Sequence, residues 1–231
     1  MRRLSIPLSL CAAVAAGAAC STDPVTPPAV IQIVQDPGLS GDGQVAQVGM
    51  QLALPLRVLV TSNSQPAPGI AVQWAVSPGN GSIGATGTTN DNGIATTLWT
   101  MPLSSGIQAA TATLAGANGS PVGFTATALP APADTFLIVT GNNQTFAVNT
   151  QAGEPLVVRV LDEYGNSVPG VTITWSVFSG SATLSATSTN TSGGGTASVT
   201  VTGGSTSGAV VVRAIPTAAL PALDFNLTVV P

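Results

Sequence analysis

Asp162-Glu163-Tyr164-Gly165-Asn166 sets two carboxylates beside the only tyrosine of the chain. Acids at this spacing could ligate a hard cation, and the tyrosine could stack on a sugar or a partner. A calcium ion takes about six to eight oxygens, usually with several carboxylates among them. Two adjacent acids on one turn fall short unless Asp134 or Glu154 converges on them. The plainer reading is a turn in which Asp162 bonds nearby backbone and Gly165 supplies a positive φ. Asp91-Asn92-Gly93 reads in the same way, as a turn into a strand. Trp99 is the other aromatic with a chemical reading, since on a surface it would contact a glycan or a partner. Asp162, Glu163, Tyr164 and Trp99 are therefore the candidate ligand contacts. No metal site is expected.

Catalysis fails on inventory. The chain has no His and no Lys, and all five basic residues are Arg. Without His, a base at neutral pH would have to be a carboxylate with a raised pKa or an unusual group. Outside the 162–163 pair the acids are isolated in sequence. A non-enzymatic protein without a cofactor is expected. Nucleic-acid binding is not expected either. Beyond residue 19 three Arg face nine Asp and Glu, too few cations to neutralise a phosphate backbone.

The elements that hold these residues come in duplicate. Pro68-Gly-Ile-Ala-Val-Gln-Trp-Ala-Val76 returns as Pro169-Gly-Val-Thr-Ile-Thr-Trp-Ser-Val177. Gly41 and Gln44 match Gly141 and Gln144, Pro55-Leu56 matches Pro155-Leu156, and Phe124 matches Phe225. Self-similarity over a period of about a hundred residues means two copies of one domain. Each copy reads with period two. Ile70, Val72, Trp74 and Val76 share one face, as do Val171, Ile173, Trp175 and Val177. The strand before places Leu54, Leu56, Val58 and Val60 inward, or Leu156, Val158 and Val160 in the second copy. Gly195–Val201 reads as one later strand with Ala197, Val199 and Val201 inward. About seven strands per copy, with turn signals between them, predict an all-β fold of two tandem sandwiches.

The run Val158-Arg-Val-Leu-Asp-Glu-Tyr-Gly-Asn-Ser-Val-Pro-Gly-Val-Thr-Ile-Thr-Trp175 resembles the bacterial immunoglobulin-like domain of the invasin and intimin type. It is similar in the strand, the Asp-x-x-Gly-Asn turn, the Pro-Gly-Val and the aromatic strand. Gly195-Thr196-Ala197 resembles the family's later strand start. The first copy departs at the turn, with Thr61-Ser-Asn-Ser-Gln-Pro-Ala-Pro68, but keeps Pro68-Gly69 and Trp74. The resemblance implies immunoglobulin-like sandwiches that serve as stalk or adhesion modules on bacterial surfaces. It carries over no functional residue. It also implies that Trp74 and Trp175 fill the two cores. Matching Gly93 to Gly195 puts Trp99 at the inward place of Val201, although Leu98 would then point out and the two could exchange roles.

The N-terminus reads as a targeting segment. Arg2 and Arg3 precede an apolar stretch, Leu4–Ala19, that closes on Gly17-Ala18-Ala19-Cys20. Cys20 resembles the lipidated cysteine of bacterial lipoproteins, which implies a membrane anchor at the outer membrane or cell surface. Ordinary cleavage after Ala19, leaving a free thiol, is the alternative to lipidation, and the periplasm is the alternative location. The expected organisation is a signal peptide over 1–19, anchor and tether over 20–28, domain one over 29–128, a Pro-containing linker over 129–134, and domain two over 135–231. The expected function is a membrane-anchored surface spacer or adhesion module, or alternatively a carbohydrate- or protein-binding module. The partners are then the membrane and a cell-surface protein or glycan. Both domain ends, Asp162–Asn166 and Thr61–Gln65, are polar, so weak contact between the domains is expected.

Overall fold

The computed structural model describes residues 28–231. The leader, Cys20 and tether residues 21–27 lie outside the described residues. The described chain is strand and turn throughout, as alternating Val, Ile and Thr between Gly and Pro should be.

Domain one holds β1 (Ile31–Gln35), β2 (Gln44–Gln47), β3 (Leu56–Ser62), β4 (Gln65–Pro66), β5 (Ala71–Val76), β6 (Ser82–Ile83), β7 (Thr86–Thr88), β8 (Ile94–Thr97), β9 (Trp99–Thr100), β10 (Gly106–Thr113) and β11 (Val122–Leu129). One sheet has β3 at its centre, paired with β1 and β8 and carrying the short hairpin to β4. The facing sheet runs β2-β11-β10-β5-β7, and β6 pairs with β9 beside them. β2 pairs in parallel with β11. The chain therefore enters in one sheet and crosses at once to the other.

Domain two repeats this order with β12 (Ala133–Thr140), β13 (Thr145–Ala147), β14 (Leu156–Asp162), β15 (Thr172–Ser179), β16 (Ala182–Leu184), β17 (Ser188–Asn190), β18 (Thr196–Val199), β19 (Val201–Gly203), β20 (Gly208–Pro216) and β21 (Leu223–Val230). Its sheets are β12-β14-β18, β13-β21-β20-β15-β17 and β16-β19. The run read as one strand over Gly195–Val201 is two elements. It breaks at Thr200 because β18 pairs with β14 while β19 pairs with β16.

Alternation puts one face of each strand into a core. Val58, Val60, Val72, Trp74 and Phe124 are buried in domain one, and Val158, Val160, Ile173, Trp175 and Phe225 in domain two. In both cores the tryptophan meets the phenylalanine at a tilt, with ring centroids 5.8 Å apart in domain one and 5.9 Å in domain two. Such pairs add about 0.5–1.5 kcal/mol beyond area burial. The clusters share no residue.

The repeated Gly and Gln prove to be one brace built twice. Gln44 Nε2 donates to the carbonyls of Gly41 and Leu54, and its Oε1 accepts from Leu54 N–H. Gln144 makes the same bonds with Gly141 and Glu154. Gly41 has φ +76° and Gly141 has φ +90°, and a Cβ at either would collide with the carbonyl oxygen of Pro55 or Pro155. The brace corrects one expectation. Leu54 does not face the core. Its backbone is tied to Gln44 ahead of β3, and its side chain is 40% exposed.

The connection between domains is shorter than the sequence suggests. β11 ends at Leu129 and β12 begins at Ala133. Ala131 belongs to the core of domain one.

Candidate functional site: the junction between the domains

Strand β14 delivers Asp162 into a turn at the N-terminal pole of domain two. Asp162 is 2% exposed. Burial alone would push its pKa up. The Asn166 side chain and the backbone N–H groups of Ala131, Asn166 and Tyr164 outweigh it and hold the carboxyl below its ordinary range. Asp162 Oδ1 accepts from Asn166 N–H at 2.7 Å and Tyr164 N–H at 3.0 Å, which closes the turn. Oδ2 accepts from Asn166 Nδ2 and from Ala131 N–H, each at 2.8 Å. One buried acid thus ties its own turn to the connecting segment.

Asn166 carries the contact into the other domain. Its Nδ2 donates to the Leu103 carbonyl at 2.8 Å, and its Oδ1 accepts from Ser105 N–H at 2.9 Å. A carboxamide presents a donor and an acceptor side by side, which matches a backbone C=O and N–H two residues apart. The amide is oriented beforehand by its bond to Asp162, so little freedom remains to be lost on docking. The surface of domain one that meets domain two is therefore the loop between β9 and β10. Thr61–Gln65 is not at this junction. It sits at the opposite pole, where Asn63 Oδ1 accepts from Val30 N–H and Asn63 N–H donates to the Val30 carbonyl.

The candidate contacts fall in different places. Trp99 does not lie on the surface: it is fully buried, and its indole N–H donates to the Asn80 carbonyl at 2.9 Å. Leu98 takes the outward place, 52% exposed. Asp162 is also removed as a surface contact, because its oxygens are taken by the turn and by Ala131. Glu163 and Tyr164 stand exposed on the same turn. The hydrogen bond and charge of Glu163 push the Tyr164 phenol up. Neither Asp134 nor Glu154 joins Asp162. Asp134 accepts from the Thr135 hydroxyl, and Glu154 is held by Gln144. Among the described residues no group of three acids, His or Cys gathers. Trp74 and Trp175 lie in the cores. Cys20 is outside the described residues. The sequence offered no sign of Leu103, Ser105 and Ala131, because they act through backbone atoms that every residue has.

Both domains are immunoglobulin-like β-sandwiches in strand order and packing. Residues 136–221 match the family model of the bacterial Ig-like domain (group 1), so domain two is a domain of that kind. Among solved structures, the Escherichia coli adhesin FdeC aligns at 19% identity over 89% of this chain and 66% of its own, with a TM-score of 0.58. InvD of Yersinia pseudotuberculosis aligns at 16% identity over 87% of this chain and 57% of its own, with a TM-score of 0.53. The chain thus spans less than two thirds of either structure. At such identities the likeness is one of fold. A search of the curated proteins finds no match.

Proposed function

We propose that this protein is a non-enzymatic surface spacer or adhesion module, held to a membrane through a lipid on Cys20. The observation that carries the reading is the latch. Asn166 and Asp162 fix domain two to the β9–β10 loop of domain one and to the connecting segment, through polar bonds and without a shared core. Such a joint holds direction and encloses nothing. The fold likeness to an adhesin and to InvD supports the same role, although it is a likeness of fold. Exposure of Trp99 and Tyr164 together would have added weight to the reading as a sugar- or protein-binding module. Trp99 is buried.

Two measurements test this. Strands of ~8 residues rise ~3.3 Å per residue, so each sandwich with its loops should be roughly 35–45 Å long. Two joined by a short Pro-containing connection should scatter as a rod of about 80–100 Å. A compact side-by-side particle in small-angle scattering of residues 21–231 would sink the spacer. For the anchor, Cys20→Ala should move the protein from the membrane fraction to the soluble one. Wild-type protein that is soluble and carries no acyl mass would refute it.

A further inference from the structure

The loop that receives Asn166 in domain one has a twin in domain two. In domain one the loop after β9 is fixed by Met101 N–H to the Met50 carbonyl and by Gly49 N–H to the Pro102 carbonyl. In domain two the loop after β19 is fixed by Gly203 N–H to the Thr150 carbonyl and by Asn149 N–H to the Gly204 carbonyl. The bonds pair Met101 with Gly203 and Pro102 with Gly204. Leu103 then corresponds to Ser205 and Ser105 to Ser207, and the loops rejoin at Gly106 and Gly208, which open β10 and β20. The ends of the last strands also correspond. Val48 N–H donates to the Leu129 carbonyl and Val148 N–H to the Val230 carbonyl, and Leu129-Pro130 is repeated as Val230-Pro231.

The difference is occupancy. Ser105 N–H and the Leu103 carbonyl are taken by Asn166. Ser205, Thr206 and Ser207 are exposed, and among the described residues Ser207 N–H and the Ser205 carbonyl meet no protein partner. We propose that this pole of domain two is a docking site for another immunoglobulin-like domain, one that presents an Asp-x-x-x-Asn turn like Asp162–Asn166. Recognition is by backbone, so Ser205 in place of Leu103 does not alter the donor and acceptor offered. Domain one of a second copy is not the occupant. Its turn is the tight hairpin Ser62–Gln65, Asn63 is spent on Val30, and no residue stands where Asn166 does. The site rests on the latch described above and is independent of the lipid anchor.

Amide hydrogen exchange tests the site in two arms. In the first, residues 21–231 are followed directly by a second copy of residues 131–231, which reproduces the connection after Pro130. Ser207 N–H should exchange at least tenfold more slowly than in residues 21–231 alone, approaching Ser105. Asn166→Ala in the appended copy alone should restore the fast rate. Unchanged exchange at Ser207, or protection that survives this substitution, overturns the proposal. The second arm does not depend on an appended copy folding. In the two-domain chain, Pro102→Gly, Leu103→Ser and Ser104→Thr give domain one the loop of domain two. Ser105 N–H should stay protected within a few-fold of wild type, and loss of its protection overturns the proposal. A Ser105 amide that is unprotected in wild type would instead sink the latch itself.

Discussion

The two domains face the same two problems, and domain one leaves one of them unsolved. Trp74 and Trp175 occupy the same place on β5 and β15 and meet corresponding phenylalanines, Phe124 and Phe225. Trp175 Nε1 donates to Thr189 Oγ1 at 2.8 Å, whereas Trp74 Nε1 is buried without a partner. Register explains this. Thr189 stands opposite Ile173, and its counterpart opposite Val72 is Gly87. A Cβ on Gly87 would lie 2.8 Å from the Thr96 carbonyl oxygen and 3.0 Å from Trp74 Nε1. Close approach of β7 to β8 therefore excludes the side chain that would satisfy the indole. The second problem is the incoming chain. Domain one holds it with Asn63 on a two-residue hairpin, where Asn63 and Ser64 have φ +48° and +66°. Domain two holds it with a buried carboxylate on a longer turn, and the extra length carries Asn166 across to the neighbour. The fold is thus common to both domains, while the turn decides whether a domain only receives its chain or also grips the domain before it.

The comparison breaks most visibly at the shared core. Trp175→Ala removes a side chain that is 1% exposed and leaves a cavity beside Phe225. It should destabilise domain two by about 3–5 kcal/mol, against about 5–15 kcal/mol that holds a typical domain folded. In calorimetry of residues 21–231, the transition of domain two should fall while that of domain one stays in place. A single transition falling as a whole would mean that the latch makes the domains one cooperative unit. Native melting would mean that Trp175 is not core.

How much of this could be read in the sequence follows from what carried the signal. The Trp strands were legible because alternation there is strict and the Pro-Gly before them repeats. Gly41 and Gln44 recurred as landmarks because the brace needs that side chain and that φ. Leu54 was misread because alternation continues past the point where Gln44 takes over its backbone. Trp99 was ambiguous because Leu98 and Trp99 are adjacent and both apolar, and alternation cannot choose between neighbours. The Asp-x-x-Gly-Asn turn was visible as a turn. Its target was not, because Leu103 and Ser105 contribute only C=O and N–H.

A second test separates the two ways of holding the incoming chain. Asp162→Asn keeps the shape but sets an amide against the N–H donors that Asp162 accepts from. An unsatisfied buried donor costs about 1–3 kcal/mol, and domain two should lose roughly that much at pH 7. The pH dependence follows from the lowered pKa. An unfolded Asp titrates near about 3.9. The folded carboxyl titrates lower, so its contribution is complete above that pH and is lost as pH falls through the folded value. The stability gap between wild type and Asp162→Asn should therefore narrow on acidification from about pH 5 to pH 2. Asp224 in domain two and Asp42 in domain one also have lowered pKa values, but both variants keep them, so the gap isolates Asp162. A gap that stays constant down to pH 2 would mean that the Asp162 charge plays no part in gripping Ala131.

The smallest effect bears on the indoles. Thr189→Val keeps the branched shape and removes the one acceptor that Trp175 Nε1 has, which turns domain two into a copy of domain one at this site. The buried N–H would be orphaned, as it is in Trp74. Urea unfolding of domain two should then shift by about 1–2 kcal/mol, within the range for leaving a neutral buried donor unpaired. The reverse repair is not open to domain one, because the Thr96 carbonyl blocks any Cβ at Gly87. If Thr189→Val costs domain two nothing, the orphaned indole of Trp74 costs domain one nothing either, and the asymmetry between the cores would be one of geometry alone. If it costs the expected amount, domain one carries that deficit permanently for the sake of the close β7–β8 approach. It should then be the less protected of the two cores when Trp74 and Trp175 indole exchange rates are compared in the same sample.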